Sequence, residues 1–304
     1  RAGGDGVSLY AEVLSFSRLA NRIFQAAGGL GEEELDAGGR LLLMHRAVKE
    51  TVSQLTVYAR PSQRPAFLRS LLETAEELKS CCVPPEQLIR AGRETGGPEG
   101  DKLRDLGLIC GAYDALTAQT ALDPRDRLTR AAEKLKGCPW ARGKDLWLDG
   151  FTDFTPQQRE VLRLLLAQAE TVTVTLTCGG MDEPGEEDIF AAARRTALWL
   201  RRLAEEEHVG WQTEYLSGDT PGKTQPLRHL EENLFSDQPA VPVSCGGEVE
   251  LFQASSLRSE VEWTAARIRS LAREEGLRFR DIGVVARDYG AYRDLVESVF
   301  PRYG

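Results

Sequence analysis

The sequence predicts an α/β fold in which a parallel sheet is interrupted by a large all-helical insertion. Residues 145–178 follow the order strand, helix, strand, which implies a parallel pair because the helix returns the chain to start the next strand at the same end of the sheet. Residues 29–144 show helical periodicity almost throughout. From about residue 249 the alternation of strand-like and helix-like segments resumes.

The stretch around residues 11–29 is predicted to form a short strand and then a helix. Val13 and Leu14 form the strand. Either Ser15 or Ser17 caps the helix, since a hydroxyl at that place accepts a hydrogen bond from a free amide of the first turn. Two glycines then end the helix.

Residues 29–144 carry three apolar stripes at helical spacing, which predict packed helices without catalytic chemistry. The pair Pro84-Pro85 and the segment ETGGPEGD are the predicted joints between them. The stripes comprise Leu41, Leu42, Leu43, Val48, Val52 and Leu55, then Phe67, Leu68, Leu71, Leu72, Ala75 and Leu78, and finally Leu103, Leu106, Ile109, Cys110 and Tyr113.

The remaining elements predict three domains. DLWLDG and ETVTVTLTC are strands around the helix TPQQREVLRLLLAQ, and a helix, a strand WQTEYL and a polar linker follow. VELFQAS and DIGVVAR are further strands, each followed by a helix. We therefore expect a first α/β domain at 7–28 and 145–247, a helical insertion at 29–144, and the start of a second α/β domain at 248–304.

Composition describes an ordinary globular chain and excludes several classes. The 304 residues are 41% hydrophobic and 28% charged. The net charge of −9 argues against a free-standing nucleic-acid binder, although a local basic groove in a larger assembly stays open. No apolar run approaches the ~20 residues of a membrane span, and no signal peptide is visible. We expect a cytoplasmic protein without a membrane partner.

Six cysteines show no CxxC pair, and three histidines are too few and too scattered to complete a zinc site. Reduced, mostly buried thiols are the expected state.

The acidic segment 182–188 is predicted to be an exposed loop, because the ligand spacing of a calcium loop is absent. The segment GDTPGKT, 218–224, is one residue short of a phosphate-binding GxxxxGK[ST] loop and is predicted to be a linker.

The most informative motif is the strand that ends at Asp149. An ATPase with a phosphate-binding loop presents a magnesium-holding acid in this way, at the carboxyl edge of its sheet. The next position is Gly150, which can neither position nor deprotonate water. The alternative interpretation is a turn acid at a strand end, followed by a capping box in which Thr155 and Gln158 serve folding.

The motif extends further than one acid. Superfamily 1 (UvrD-like) helicases carry D-E-x-Q-D-x-x-x-x-Q, which Asp149, Asp153 and Gln158 match, while Gly150 and Thr152 replace the Glu and the first Gln. SFSRLANRIF resembles the segment that those helicases place beside single-stranded DNA. More narrowly, blocks such as VLSFSRLANRIF, LWLDGFTDFTPQQREVLRLL and EVEWTAARIRSL resemble, in order, the AddB family, the B subunits of bacterial AddAB helicase–nucleases, in which DGF is usual at this place.

The resemblance implies a P-loop NTPase fold of the superfamily 1 type. It implies DNA contacts at Ser15, Ser17, Arg18 and Arg22, although a helix cap and a solvated arginine face explain the same residues. The partners would be the A subunit of a heterodimer and single- and double-stranded DNA. No cofactor is expected in this chain. Mg²⁺, ATP and an iron–sulfur cluster belong to the parent subunit, whose Walker A loop and nuclease domain are expected before and after this sequence.

Two functional hypotheses result. The chain is a hydrolysis-deficient, helicase-like part of a DNA-repair enzyme that processes double-strand breaks for recombination, serving as DNA channel and partner scaffold. Alternatively, it is a purely structural assembly module with no nucleotide or DNA contact of its own. In either case we expect no ATP hydrolysis, because the loss of a general base typically costs roughly 10²–10⁴-fold in rate.

Overall fold

The protein divides into two compact units, Arg1–Glu214 and Tyr215–Gly304. The computed structural model describes residues 11–61, 64–178, 180–183, 185, 188–216, 222–235 and 241–304. Part of the GDTPGKT segment and part of the acidic loop lie outside the described residues. Among the residues that are described, no helix is both long and apolar enough to cross a membrane.

The first unit contains eight described α-helices and two strands. In chain order they are α1 Phe16–Ala27, α2 Ala37–Thr51, α3 Pro65–Ser80, α4 Pro85–Thr95, α5 Gly97–Thr120, α6 Arg127–Gly137, β1 Asp145–Leu148, α7 Pro156–Leu166, β2 Thr171–Val174 and α8 Ala191–Glu206. The second unit contains α9 Gln225–Asn233, α10 Leu257–Arg273 and α11 Tyr289–Tyr303.

The predicted strand–helix–strand unit is confirmed. Strands β1 and β2 pair in parallel, with Asp145 opposite Thr171 and Leu148 opposite Val174. Leu148 and Val174 face the core, whereas Trp147 on the opposite face is 74% exposed. The α/β prediction therefore holds for this unit. In the described residues, however, helices dominate and the sheet has only these two strands.

Four predicted strands are wrong. The segments at 13–14, 211–216, 249–255 and 281–287 carry no strand assignment. Their β-rich composition was the reason for the prediction, but β propensity reflects packing on a half-buried pleated surface. Leu251 is 100% exposed and Val285 is 96% exposed, so these side chains have no such surface within the described residues.

The first core joins α1, α6 and α7 to the inner face of the sheet. Ile23 and Phe24 of α1 are fully buried, while Leu19 packs at the margin. Burying a side chain of this size contributes about 1.5–3 kcal/mol. The buried set is Ala20, Ile23, Phe24, Ala131, Ala132, Leu135, Ala141, Phe154, Val161, Leu162, Leu164 and Leu165.

A second core joins α2, α3 and α5 and confirms most of the predicted stripes. Its members include Val48, Leu68, Leu71, Ala75, Ile109, Cys110 and Tyr113. Leu42 was wrongly assigned to this core: it is 70% exposed, and Met44 and Ala47 are buried instead. Three consecutive residues cover more than half a helical turn. Because Leu41 and Leu43 both pack against the core, Leu42 between them faces outward.

A buried ion cluster ties the helices of the second core together. Lys79 lies 3.1 Å from both Asp114 and Asp123 and 2.7 Å from Asp126, and Arg40 lies 3.3 Å from Asp123. Burial opposes ionisation of Asp123, but the amide of the loop and the charges of Lys79 and Arg40 outweigh it and lower the pKa of that carboxyl. The cluster thus links α2, α3 and the end of α5.

The prediction of mostly buried thiols is wrong. All six cysteines are free, but Cys81, Cys82 and Cys245 are exposed, and only Cys110 is buried. Burial raises the pKa of the Cys110 thiol to about 12. Residue type alone does not indicate this difference: Cys110 lies inside α5, whereas the other five cysteines lie outside the helices.

Helices α4 and α5 approach each other through glycine. A Cβ built on Gly100 would lie 2.4 Å from the carbonyl oxygen of Gly92, and a Cβ on Gly92 would lie 2.6 Å from the carbonyl oxygen of Gly100. Neither helix backbone can yield at such a contact without moving the other. The pair therefore fixes the spacing of the two helices.

We predict that Gly100→Ala lowers the free energy of unfolding by about 1–3 kcal/mol, the usual cost of overpacking. Urea unfolding followed by circular dichroism measures the change. Gly111→Ala is the control in the same helix, because its Cβ would lie an ordinary 3.6 Å from Pro85. That variant should be neutral or slightly stabilised, and an equal loss in both variants would contradict the close-packing argument.

Candidate functional site at the carboxyl edge of the sheet

The carboxyl ends of the two parallel strands meet at one edge and bring Asp149 beside Thr175. The amide of Thr175 donates to the carbonyl of Leu148 at 3.0 Å. The hydroxyl of Thr175 donates a hydrogen bond to the carboxylate of Asp149. Asp149 is exposed at this edge, so its carboxylate is accessible to solvent there.

Gly150 turns the chain immediately after Asp149. Its φ is +79°, in the left-handed region that a residue with a Cβ adopts at a cost of roughly 1–2 kcal/mol. No atom lies within 4 Å of a Cβ built on it. Backbone conformation, rather than lack of space, therefore favours glycine over the glutamate that a helicase motif carries here.

Gln158 is engaged in folding. The hydroxyl of Thr155 accepts from the amide of Gln158 at 3.3 Å, and the side-chain oxygen of Gln158 accepts from the amide of Thr155 at 2.9 Å. This is the capping box at the start of α7, which the sequence offered as the alternative interpretation. Asp153 is exposed in the loop before it.

An aromatic cluster connects this loop to α1. The ring of Phe16 lies 5.6 Å from that of Phe151 and 6.2 Å from that of Phe154. Phe154 in turn lies 6.3 Å from Trp199 of α8, and the guanidinium of Arg159 sits 4.8 Å above that indole. The first residue of α1 is thereby packed against the loop that follows the strand acid.

The four predicted DNA-contact residues of α1 separate into different roles. Ser15 is the N-cap, and its hydroxyl accepts from the amide of Arg18 at 3.3 Å. Arg18 and Arg22, four residues apart, share one exposed face of the helix. Ser17 is exposed but lies about a quarter turn from that face. Ser15 is thus used by the fold, as the alternative interpretation predicted.

A polar pocket of about 270 Å³ lies along the arginine face. Its walls are Glu12, Leu14, Arg18, Asn21, Arg22 and Gln25. The Nε of Arg22 donates to both carboxylate oxygens of Glu12, at 2.9 and 3.0 Å, and its Nη1 donates to Gln25 at 2.8 Å. Hydrogen bonding to Glu12, together with its charge, raises the pKa of Arg22.

Sequence reasoning missed three residues that place α1 and α7. Gln157 is buried and donates to the hydroxyl of Thr129 at 2.9 Å and to the carbonyl of Arg125 at 3.1 Å. Arg127 and Arg130 of α6 flank the ring of Phe24, at 5.4 and 5.1 Å. The available signal for the two arginines was their place in the first turn of α6, whose buried residues are otherwise Ala131, Ala132 and Leu135.

The described residues keep one of the two adjacent acids of the helicase motif, Asp149, and carry Gly150 at the other position. Mg²⁺ in magnesium–nucleotide sites takes one or two carboxylates together with the phosphates of its substrate. Here a single carboxylate, Asp149, stands at the edge, and it accepts from Thr175. In the described part of GDTPGKT, Lys223 pairs with Glu231.

The comparisons with known proteins cover nearly the whole chain. A family model described as ADDB, N-terminal, matches residues 1–231. Proteins named as the B subunit of an ATP-dependent helicase/deoxyribonuclease are similar: that of Thermoanaerobacter sp. (strain X514) is 36% identical over 301 residues, and that of Bacillus subtilis (strain 168) is 31% identical over 310. The matches cover 97% and 98% of this chain and 26% of each relative. The chain therefore spans about a quarter of their length.

We predict that Gly150→Ala lowers the free energy of unfolding by about 1–2 kcal/mol, because alanine must adopt the left-handed conformation. Urea unfolding measures the change. Gly137→Ala is the control: Gly137 lies in the last turn of α6, also with no atom within 4 Å of its Cβ. That variant should be neutral or stabilised by about 0.5–1 kcal/mol. No loss in the Gly150 variant would show that the positive φ is not required.

Proposed function

The chain belongs to the AddB family, and from this premise we propose that it is a helicase-like, hydrolysis-deficient part of the B subunit of an ATP-dependent helicase/deoxyribonuclease. Its role would be to guide DNA and to support the partner subunit. The observation that carries the proposal is the pair of residues at the carboxyl end of β1. Asp149 keeps the place of a motor's strand acid, while Gly150 stands where such a motor needs a carboxylate.

The domain organisation follows the same proposal. Residues 7–28 and 145–247 would form the first motor-like domain, of the P-loop NTPase type, and 29–144 its helical insertion. Residues 248–304 would begin the second motor-like domain. The parallel unit formed by β1, α7 and β2 supports the α/β character of residues 145–174, while the two compact units divide between Glu214 and Tyr215, inside the proposed first domain.

The parent subunit would process double-strand breaks for homologous recombination in the cytoplasm, in a heterodimer with an A subunit. The names of the relatives support a helicase and deoxyribonuclease. ATP, Mg²⁺ and an iron–sulfur cluster would be bound by other parts of the assembly. In the described residues of this chain, no three metal-binding side chains of His, Cys, Asp or Glu come together.

DNA contact is proposed for the arginine face of α1. Arg18 and Arg22 are exposed, and guanidinium groups bind phosphate in a two-pronged geometry. Ser15 and Ser17 are kept as weaker candidates, since the hydroxyl of Ser15 already caps the helix. The aromatic cluster would hold this face in a fixed place beside the sheet edge.

A purely structural assembly module remains the second candidate. Two observations favour it: the net charge of −9, and the pairing of Arg22 with Glu12. Under this hypothesis the arginine face is an ordinary solvated surface, and the chain makes no DNA contact of its own.

We predict that the chain binds a labelled 20-nucleotide oligo-dT and that Arg18→Ala/Arg22→Ala weakens this binding. If two phosphate contacts are lost, the slope of log K against log [salt] falls by about 1.4, at about 0.7 per contact on single strands. Fluorescence anisotropy from 50 to 200 mM NaCl measures it. The matched control is Arg46→Ala/Arg258→Ala, which removes the same charge from two exposed pairs within single helices.

Equal losses in the two double variants would favour the structural module, because the effect would then come from net charge alone. An ATPase rate above background from the wild-type chain with Mg²⁺ would contradict the hydrolysis-deficient part of the proposal.

A further inference from the structure

The pocket on α1 has two arginines in different states. Arg22 is covered by the carboxylate of Glu12, which reaches it from the segment before the helix. Arg18, on the same face, has no hydrogen-bond or ion-pair partner through its side chain among the residues that the structure describes. The pocket therefore offers one open and one covered guanidinium.

The geometry of the covered arginine matches that of a phosphate complex. A carboxylate that bridges two donors of one guanidinium uses the same planar fork that a phosphate group uses. Oε2 of Glu12 accepts from Nε of Arg22 at 3.0 Å, and Oε1 accepts from Nη2. It therefore occupies the position that a phosphodiester would take.

The pair is suited to exchange. The side chains of Arg22 and Glu12 are 44% and 50% exposed, and exposed ion pairs contribute little to stability. Glu12 belongs to no helix or strand, so its movement away from Arg22 breaks no secondary structure. Gln25 accepts from Nη1 of Arg22 and can hold the guanidinium in place when Glu12 leaves.

From these contacts we infer that Glu12 is an internal competitor for phosphate, which gates a phosphodiester-binding pocket formed by Arg18 and Arg22. A first phosphate binds at the open Arg18, and a second displaces Glu12 from Arg22. This inference rests on the proposed DNA contact of α1. It adds that Glu12 lowers the affinity of this contact for DNA. Single-stranded DNA can supply both phosphates, because its successive phosphates can reach two arginines that are four positions apart on one helix face.

The test is Glu12→Gln, which keeps the shape of the side chain and removes its charge. Oligo-dT should bind about three- to tenfold more tightly at 50 mM NaCl, because a phosphate no longer has to displace a carboxylate from Arg22. Glu12→Ala should act in the same direction. Glu50→Gln is the matched control: it removes the same charge and releases Arg46 of an exposed pair.

A double-mutant cycle identifies the competitor. If Glu12 acts through Arg22, then Glu12→Gln/Arg22→Ala binds no more tightly than Arg22→Ala alone. Tighter binding in that double variant, or an effect of Glu12→Gln equal to that of Glu50→Gln, would overturn the gate and leave the DNA contact standing. Weaker binding in Glu12→Gln and Glu12→Ala would assign Glu12 to the support of Arg22, which also overturns it.

The failure of the underlying proposal gives a different result. If Arg18→Ala/Arg22→Ala binds oligo-dT as the wild type does in both the presence and absence of the Glu12 charge, the DNA contact itself is wrong. Absence of any binding, including by Glu12→Gln, overturns both.

Discussion

The aromatic contact between the loop after β1 and the start of α1 is the interaction on which the candidate site depends. Phe151 and Phe154 follow a left-handed turn at Gly150 and pack against Phe16, the first residue of the helix. This contact joins α1, the loop that follows the strand acid, and the start of α7 through one apolar core, and the exposed acid and arginines lie at its margin. Hydrophobic packing among the chain's own side chains therefore holds α1 against the loop after β1. A bound nucleotide is not needed to explain this arrangement.

The same contact explains how a motor-like frame can persist without hydrolytic residues. Packing constrains Phe16 and Phe154, whereas Gly150 is constrained by its backbone conformation. Gln158 caps a helix, and Asp149 accepts from Thr175. Asp149, Gly150 and Gln158 of the helicase-like motif thus each have a structural role, and we propose that these roles keep the strand acid, its loop and α7 in place for DNA and for a partner.

Patterns that arise within one element were predictable, and contacts between elements were not. The stop of α1 at Gly28, the capping box of Gln158 and the buried faces of α1, α3 and α5 follow from local spacing. The pairing of Glu12 with Arg22, the ion cluster of Lys79 and the close approach of Gly92 and Gly100 depend on tertiary geometry. The four wrong strands failed because a β-rich segment needs a hydrogen-bonded neighbour, which sequence composition alone cannot supply.

Hydrogen exchange in Phe154→Leu tests the central claim most directly, because this ring contacts α8 as well as Phe16. We predict that protection of the α1 amides falls about tenfold, corresponding to a local loss of about 1.4 kcal/mol, a value within the usual cost of such a core substitution. Protection in α3 and α5, which belong to the second core, should not change. Unchanged protection in α1, or an equal fall in both cores, would contradict the account.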